Sequence, residues 1–131
     1  MLINKKRTDK KKVLSAFLVI GLILGSSTVG AATYTANLNG SSNNAKTTTV
    51  TAKGNKSSSI YATNSGANTT TQGNAKRKVT ILPDSTVAST GWMNPGSSKT
   101  VGFKQQDGKK YYGQIVGQTK NARGGVRLTI N

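Results

Sequence analysis

The sequence predicts an all-β protein: a small, single-domain antiparallel β-sandwich or barrel that follows an N-terminal signal helix. Three observations carry this expectation. Past residue 32 no apolar spacing of three and four residues occurs, and Thr, Asn and Gly, all poor helix formers, dominate. Short runs of period-two alternation recur instead. Turn dipeptides such as Asn39-Gly40 and Asp107-Gly108 punctuate these runs and suit tight hairpins.

The first element reads as an export signal. Lys5, Lys6, Arg7, Lys10, Lys11 and Lys12 stand against the single Asp9. The uncharged run 13–24 (VLSAFLVIGLIL) follows, and residues 25–32 (GSSTVGAA) supply the small side chains that a signal peptidase accepts. Cleavage is expected after Ala32. The run is short of the roughly 20 apolar residues of a membrane span. A retained anchor with its basic end inside is the alternative. Residues 1–32 are thus assigned to the signal. Residues 33–131 are assigned to a secreted domain, extracellular or associated with the cell surface.

That domain divides by composition. In 33–75 the large apolar residues are only Tyr34, Leu38, Val50, Ile60 and Tyr61, and Ser, Thr, Asn and Gly make up 28 of the 43. Such a stretch cannot build a core alone. It is expected to lay polar strands on a core or to be partly disordered. Residues 76–131 hold 15 large apolar residues, so the core is expected there.

In chain order, 34–38 opens the domain, and 47–53 and 57–63 are β-prone but weakly apolar. Segment 78–81 alternates with Val79 and Ile81 inward, and 100–104 alternates likewise. Segment 110–117 places Tyr111 and Ile115 on one face and Tyr112 and Val116 on the other. The last strand, 126–130, turns Arg127 outward between Val126 and Leu128. Gly54-Asn55, 64–66, Gly73-Asn74 and 94–96 read as turns. Segment 105–110 reads as a hairpin joining 101–103 to 111–116.

Charge points to the partner. Residues 33–131 carry 13 Lys and Arg against Asp84 and Asp107, a balance of +11, and the chain has no Glu. A fold gains nothing from such self-repulsion. Outside a bacterium the abundant anions are teichoic acids, lipid headgroups, acidic polysaccharides and released DNA. The expected partner is an anionic cell-wall polymer or membrane surface, with nucleic acid only as extracellular DNA. Lys76, Arg77, Lys78, Lys109, Lys110, Lys120, Arg123 and Arg127 are the candidate anion-binding residues, with affinity that falls as salt rises. The competing reading is a solvated strand face whose lysines discourage edge-to-edge pairing. Trp92 and Tyr112 are the candidate aromatic contacts. Of two adjacent strand tyrosines one is expected to be exposed. Trp92 stands before Met93 and an Asn-Pro-Gly turn, but a lone tryptophan in so small a domain is first expected in the core.

Catalysis is disfavoured by inventory. The chain has no His, Cys or Glu to serve as a conventional base, nucleophile or metal ligand. Asp84 and Asp107 each adjoin a turn signal and are expected to stabilise turns. No catalytic residue, metal or cofactor is expected, and the protein is read as a non-enzyme. The lack of cysteine excludes disulfides and a lipoprotein anchor, and fits a bacterial exterior.

The signal through Ala32, the cysteine-free Ser/Thr/Asn-rich β segment, and the closing run from Tyr111-Tyr112-Gly113-Gln114 to Val126-Arg127-Leu128-Thr129-Ile130-Asn131 set the style of the chain. In that style it resembles small exported proteins of Gram-positive bacteria, of unknown or bacteriocin-like function. It lacks a double-glycine leader, and the Tyr-Gly-Asn-Gly-Val motif and cysteines of the pediocin-like group. The resemblance implies a secreted β-sandwich that acts on another cell's envelope, and it transfers no functional residue. The rival function is an extracellular structural or adhesive protein whose polar strands self-associate in a surface layer, matrix or fibre.

Overall fold

The computed structural model describes residues 31–131. The expected signal lies outside these residues except for Ala31 and Ala32. Ala32 itself begins the first strand, and Ala32–Asn131 forms one compact unit that holds all of the described core.

The unit is all-β, with no helix among the described residues. Nine strands run in order: β1 (Ala32–Asn39), β2 (Asn44–Lys46), β3 (Val50–Thr51), β4 (Ser57–Asn64), β5 (Thr71–Arg77), β6 (Ser85–Ser89), β7 (Ser98–Lys104), β8 (Lys110–Gly117) and β9 (Arg123–Ile130). They form two antiparallel sheets. Sheet A has the order β1-β9-β4-β7, and sheet B the order β2-β8-β5-β6, with β3 also pairing β8. Their inner faces share one core. Leu38, Ile60, Ala62, Val126, Leu128 and Ile130 from sheet A meet Ala75, Ala88, Tyr111 and Ile115 from sheet B. The alternation that predicts β9 is therefore real burial, with Gly124, Val126, Leu128 and Ile130 pointing in; β4, expected only as β-prone, alternates as well, with Ser58, Ile60, Ala62 and Asn64 pointing in.

Several expectations are corrected. Segment 78–81 is not a strand. Strand β5 ends at Arg77 because its partner runs out: Arg77 pairs with Tyr111, and β8 begins one residue earlier, at Lys110. Ile81 is left 92 % exposed, and Leu82 69 %. Gly73-Asn74 is not a turn but the middle of β5, between β8 and β6. The two turn dipeptides do form turns, with φ of 93° at Gly40 and 78° at Gly108, but neither closes a hairpin. Strand β1 lies in sheet A and β2 in sheet B; β7 lies in sheet A and β8 in sheet B. Only β5 and β6 are successive strands that also pair with each other. The polar segment is ordered, and it supplies the central strands β4 and β5. The core is thus shared between the two halves, with Leu38, Ala52, Ile60, Ala62 and Ala75 drawn from the first.

Small side chains make this shared core possible. A Cβ placed on Gly73 would lie well inside contact distance of Ala62 Cβ on the facing sheet. Neither group is the flexible end of a side chain, so the two backbones would have to separate. Gly73→Ala is expected to destabilise the domain by about 1–3 kcal/mol, the usual range for overpacking. A thermal melt of the 32–131 unit checks this, and an unchanged Tm would show that the sheets part without cost.

Candidate anion-binding site

The outer face of sheet B gathers cations around one aromatic ring. The register places Lys76 of β5 opposite Tyr112 of β8, and Lys46 of β2 opposite Gln114. Directly paired residues, and residues two apart on a strand, share a face. Lys46, Lys76, Lys110 and Tyr112 therefore all point out of sheet B. Lys78 joins them from the loop that follows β5; its backbone N–H extends the ladder to the Lys110 carbonyl at 2.9 Å.

Tyr112 is the centre of this face, yet it is only 5 % exposed, so the expectation of an exposed contact residue is corrected. The Lys46 and Lys78 ammonium groups lie 5.6 and 5.9 Å from its ring centroid, and long lysine stems readily cover such a ring. Its hydroxyl donates to Asp84 Oδ2 at 2.7 Å, while the Val79 N–H donates to Asp84 Oδ1 at 2.9 Å. Asp84 thus anchors the loop between β5 and β6, in keeping with the turn role read from sequence. Asp107 acts differently: its carboxylate accepts the Gly54 N–H at 2.7 Å and its own N–H donates to Asn55 Oδ1 at 2.9 Å, so it ties its turn to the β3–β4 loop rather than bracing the turn from within.

The Asp84 carboxyl is held below its ordinary value of 3.8, first by the Val79 N–H and then by the Tyr112 hydroxyl, with Lys78 and Lys46 adding to both. Its contribution to stability is present above that value and is lost as pH falls through the depressed one. Tyr112 moves the other way, pushed up to about 12, first by burial and then by its bond to Asp84. The neutral phenol is the form the fold favours. That stabilisation is complete below pH 10.0, the ordinary value, and is lost as pH rises toward about 12. Ultraviolet titration is expected to show a phenolate step near 12 that Tyr112→Phe removes. Persistence of that step in the variant would refute the assignment.

The remaining cations have defined places. Lys76 Nζ donates to Thr86 Oγ1 at 2.8 Å and Lys110 Nζ to Thr51 Oγ1 at 3.3 Å. Arg77, half-buried, donates to Gln106 Oε1 at 2.8 Å. With Lys109 it borders an open groove of about 610 Å³ between the 78–82 loop and the turn before β8. Lys76, Arg77, Lys78, Lys109 and Lys110 are therefore brought together. Lys120, Arg123 and Arg127 are not. Lys120 precedes β9 and Arg123 opens it, at the opposite end of the sandwich, where the Arg123 guanidinium lies over Gly40. Arg127 sits on the outer face of sheet A, its guanidinium carbon 5.0 Å from the Tyr61 ring centroid.

Trp92 is 49 % exposed, so the expectation of a core tryptophan is corrected. Met93 takes the inward position instead and bridges to Thr71, and alternation turns its neighbour out. Thr71 begins β5 whereas Lys78 follows its end, so Trp92 lies at the far end from the lysine cluster. Sequence reasoning missed Lys46. Nothing local distinguishes it; only the pairing of β2 with β8 brings it to Tyr112.

No family model matches this chain, and no curated protein matches it. Among solved structures it is similar to the crystal structure of the Yersinia pseudotuberculosis-derived mitogen. The TM-score is 0.44 and the identity 11 %, over 77 % of this chain and 85 % of that one. No residue role passes from that protein to this chain.

Proposed function

We propose that this chain is a secreted, cationic, non-catalytic protein that binds anionic components of a bacterial envelope, as a bacteriocin-like antagonist of other bacteria. The observation that supports this reading is the grouping of Lys46, Lys76, Lys78 and Lys110 on one face around Tyr112, with Asp84 the acid set among them. Asp84 is occupied by the loop it anchors, which leaves the face net positive. Phosphate-bearing polymers or headgroups suit several ammonium groups held at strand spacing. The test is binding of the 32–131 unit to phosphatidylglycerol vesicles and to soluble polyphosphate at low and physiological salt. Binding that weakens steeply with salt is expected. Binding that is indifferent to salt, or absent from both, would overturn the reading.

One observation favours self-assembly as a second reading. Strand β1 is an eight-residue edge of sheet A without charge or proline, and among the described residues no strand pairs with its outer side. Such an edge is a template for another chain. Concentration-dependent assembly of the same unit would support it, and a strictly monomeric protein would count against it.

A further inference from the structure

The loop between β5 and β6 carries a feature that attraction by charge alone does not explain. Ile81 and Leu82 are adjacent, and they are two of the three large apolar residues that the described residues expose. They contribute nothing to the core. The loop that bears them is nevertheless well anchored. The Val79 N–H and the Tyr112 hydroxyl both donate to Asp84, and the Lys78 N–H bonds to the Lys110 carbonyl. Two aliphatic side chains are thus presented to solvent from a braced loop, with Arg77 and Lys78 immediately before them and Lys109 across the groove.

We propose that this loop is an insertion tip for an anionic lipid bilayer. Ile81 and Leu82 enter the boundary between headgroups and acyl chains, while Lys78, Arg77 and Lys109 meet lipid phosphates around them. This rests on the envelope-binding reading and commits it to one surface. Charge complementarity selects the occupant: an aliphatic tip ringed by cations matches an interface that is anionic outside and apolar beneath. A protein partner is a poorer match, because two side chains fall far short of the roughly 800 Å² per partner that a stable protein interface needs. A soluble polyanion would use the cations and leave the tip idle.

The experiment compares the 32–131 unit with its Ile81→Ser/Leu82→Ser variant. Both residues are exposed, so the variant keeps the fold, and a thermal melt checks this directly. Sedimentation with phosphatidylglycerol vesicles and binding to soluble polyphosphate are measured side by side. The expected result is a loss of about tenfold or more in vesicle partitioning, from removal of two buried aliphatic groups, with polyphosphate binding unchanged. Vesicle binding equal to that of the parent would overturn the insertion tip while leaving the envelope reading intact. An equal loss on both probes would also overturn it, since the effect would then lie in the basic face. A parent that binds neither probe would sink the envelope reading and the tip with it.

Discussion

Gln105→Ala is expected to lower stability by about 2–4 kcal/mol, the largest effect of any single substitution proposed for this domain. Gln105 is fully buried at 0 % exposure, and it ties three segments together. Of its two amide N–H groups, one donates to the Asn131 carbonyl at 2.7 Å and the other is shared between the adjacent carbonyls of Gly54 at 3.0 Å and Lys53 at 3.3 Å. Its carbonyl oxygen accepts from the Ser58 hydroxyl and from the Asn131 N–H at 3.1 Å. Truncation leaves these groups without their partner and opens a hole at the crossing from β7 to β8. A domain of this size shifts its Tm by about 4–8 °C per kcal/mol, so a fall on the order of 10–25 °C follows. Gln105→Leu separates hydrogen bonding from packing, because it restores most of the volume without the polar atoms. A leucine variant that melts with the parent would assign the loss to packing alone, and an alanine variant that does so would refute the prediction.

Replacing Lys46, Lys76, Lys78 and Lys110 together by Gln is expected to weaken binding to anionic vesicles by several hundred-fold at low salt. Each lysine near such a surface contributes about 1 kcal/mol, and about 1.4 kcal/mol is a factor of ten. The fold should survive, because relief of self-repulsion offsets the lost side-chain contacts to Thr86 and Thr51. The control is a Lys120/Arg123/Arg127 triple variant with Gln at each position. It removes nearly as much charge, but from the other end of the sandwich and from the outer face of sheet A. Only a modest loss is expected there. Equal losses in the two variants would mean that net charge, not the face around Tyr112, governs binding.

The strands legible by alternation are β7, β8 and β9, which set apolar or small residues at every second position, the physical signature of a surface buried on one side. Strands β1 and β4 are legible only as β-prone runs, because Ser, Thr and Asn fill much of their length. Strand β5 is illegible because its sequence, TQGNAKR, has alanine as its one apolar residue and a Gly-Asn pair that signals a turn. Its glycine serves close approach to Ala62 rather than chain reversal. Segment 78–81 fails in the opposite sense. It alternates, but β8 offers it only the Lys110 carbonyl, taken by the Lys78 N–H, and nothing beyond, so alternation alone cannot make it a strand.

By itself the sequence determined the fold class, the excess of positive charge, the absence of thiol and imidazole chemistry, and the use of Asp84 as a turn anchor. These follow from composition and from the two-residue period, which are local properties of the chain. The tertiary structure alone decided which sheet each strand joins, that Tyr112 is covered, that Lys46 belongs to the basic face, and that Lys120, Arg123 and Arg127 do not. Every strand but β6 has a partner that is not its neighbour in sequence, as β1 has in β9 and β5 in β8. Pairing of this kind is selected by the fit of two whole sheets, and no short window of sequence contains it.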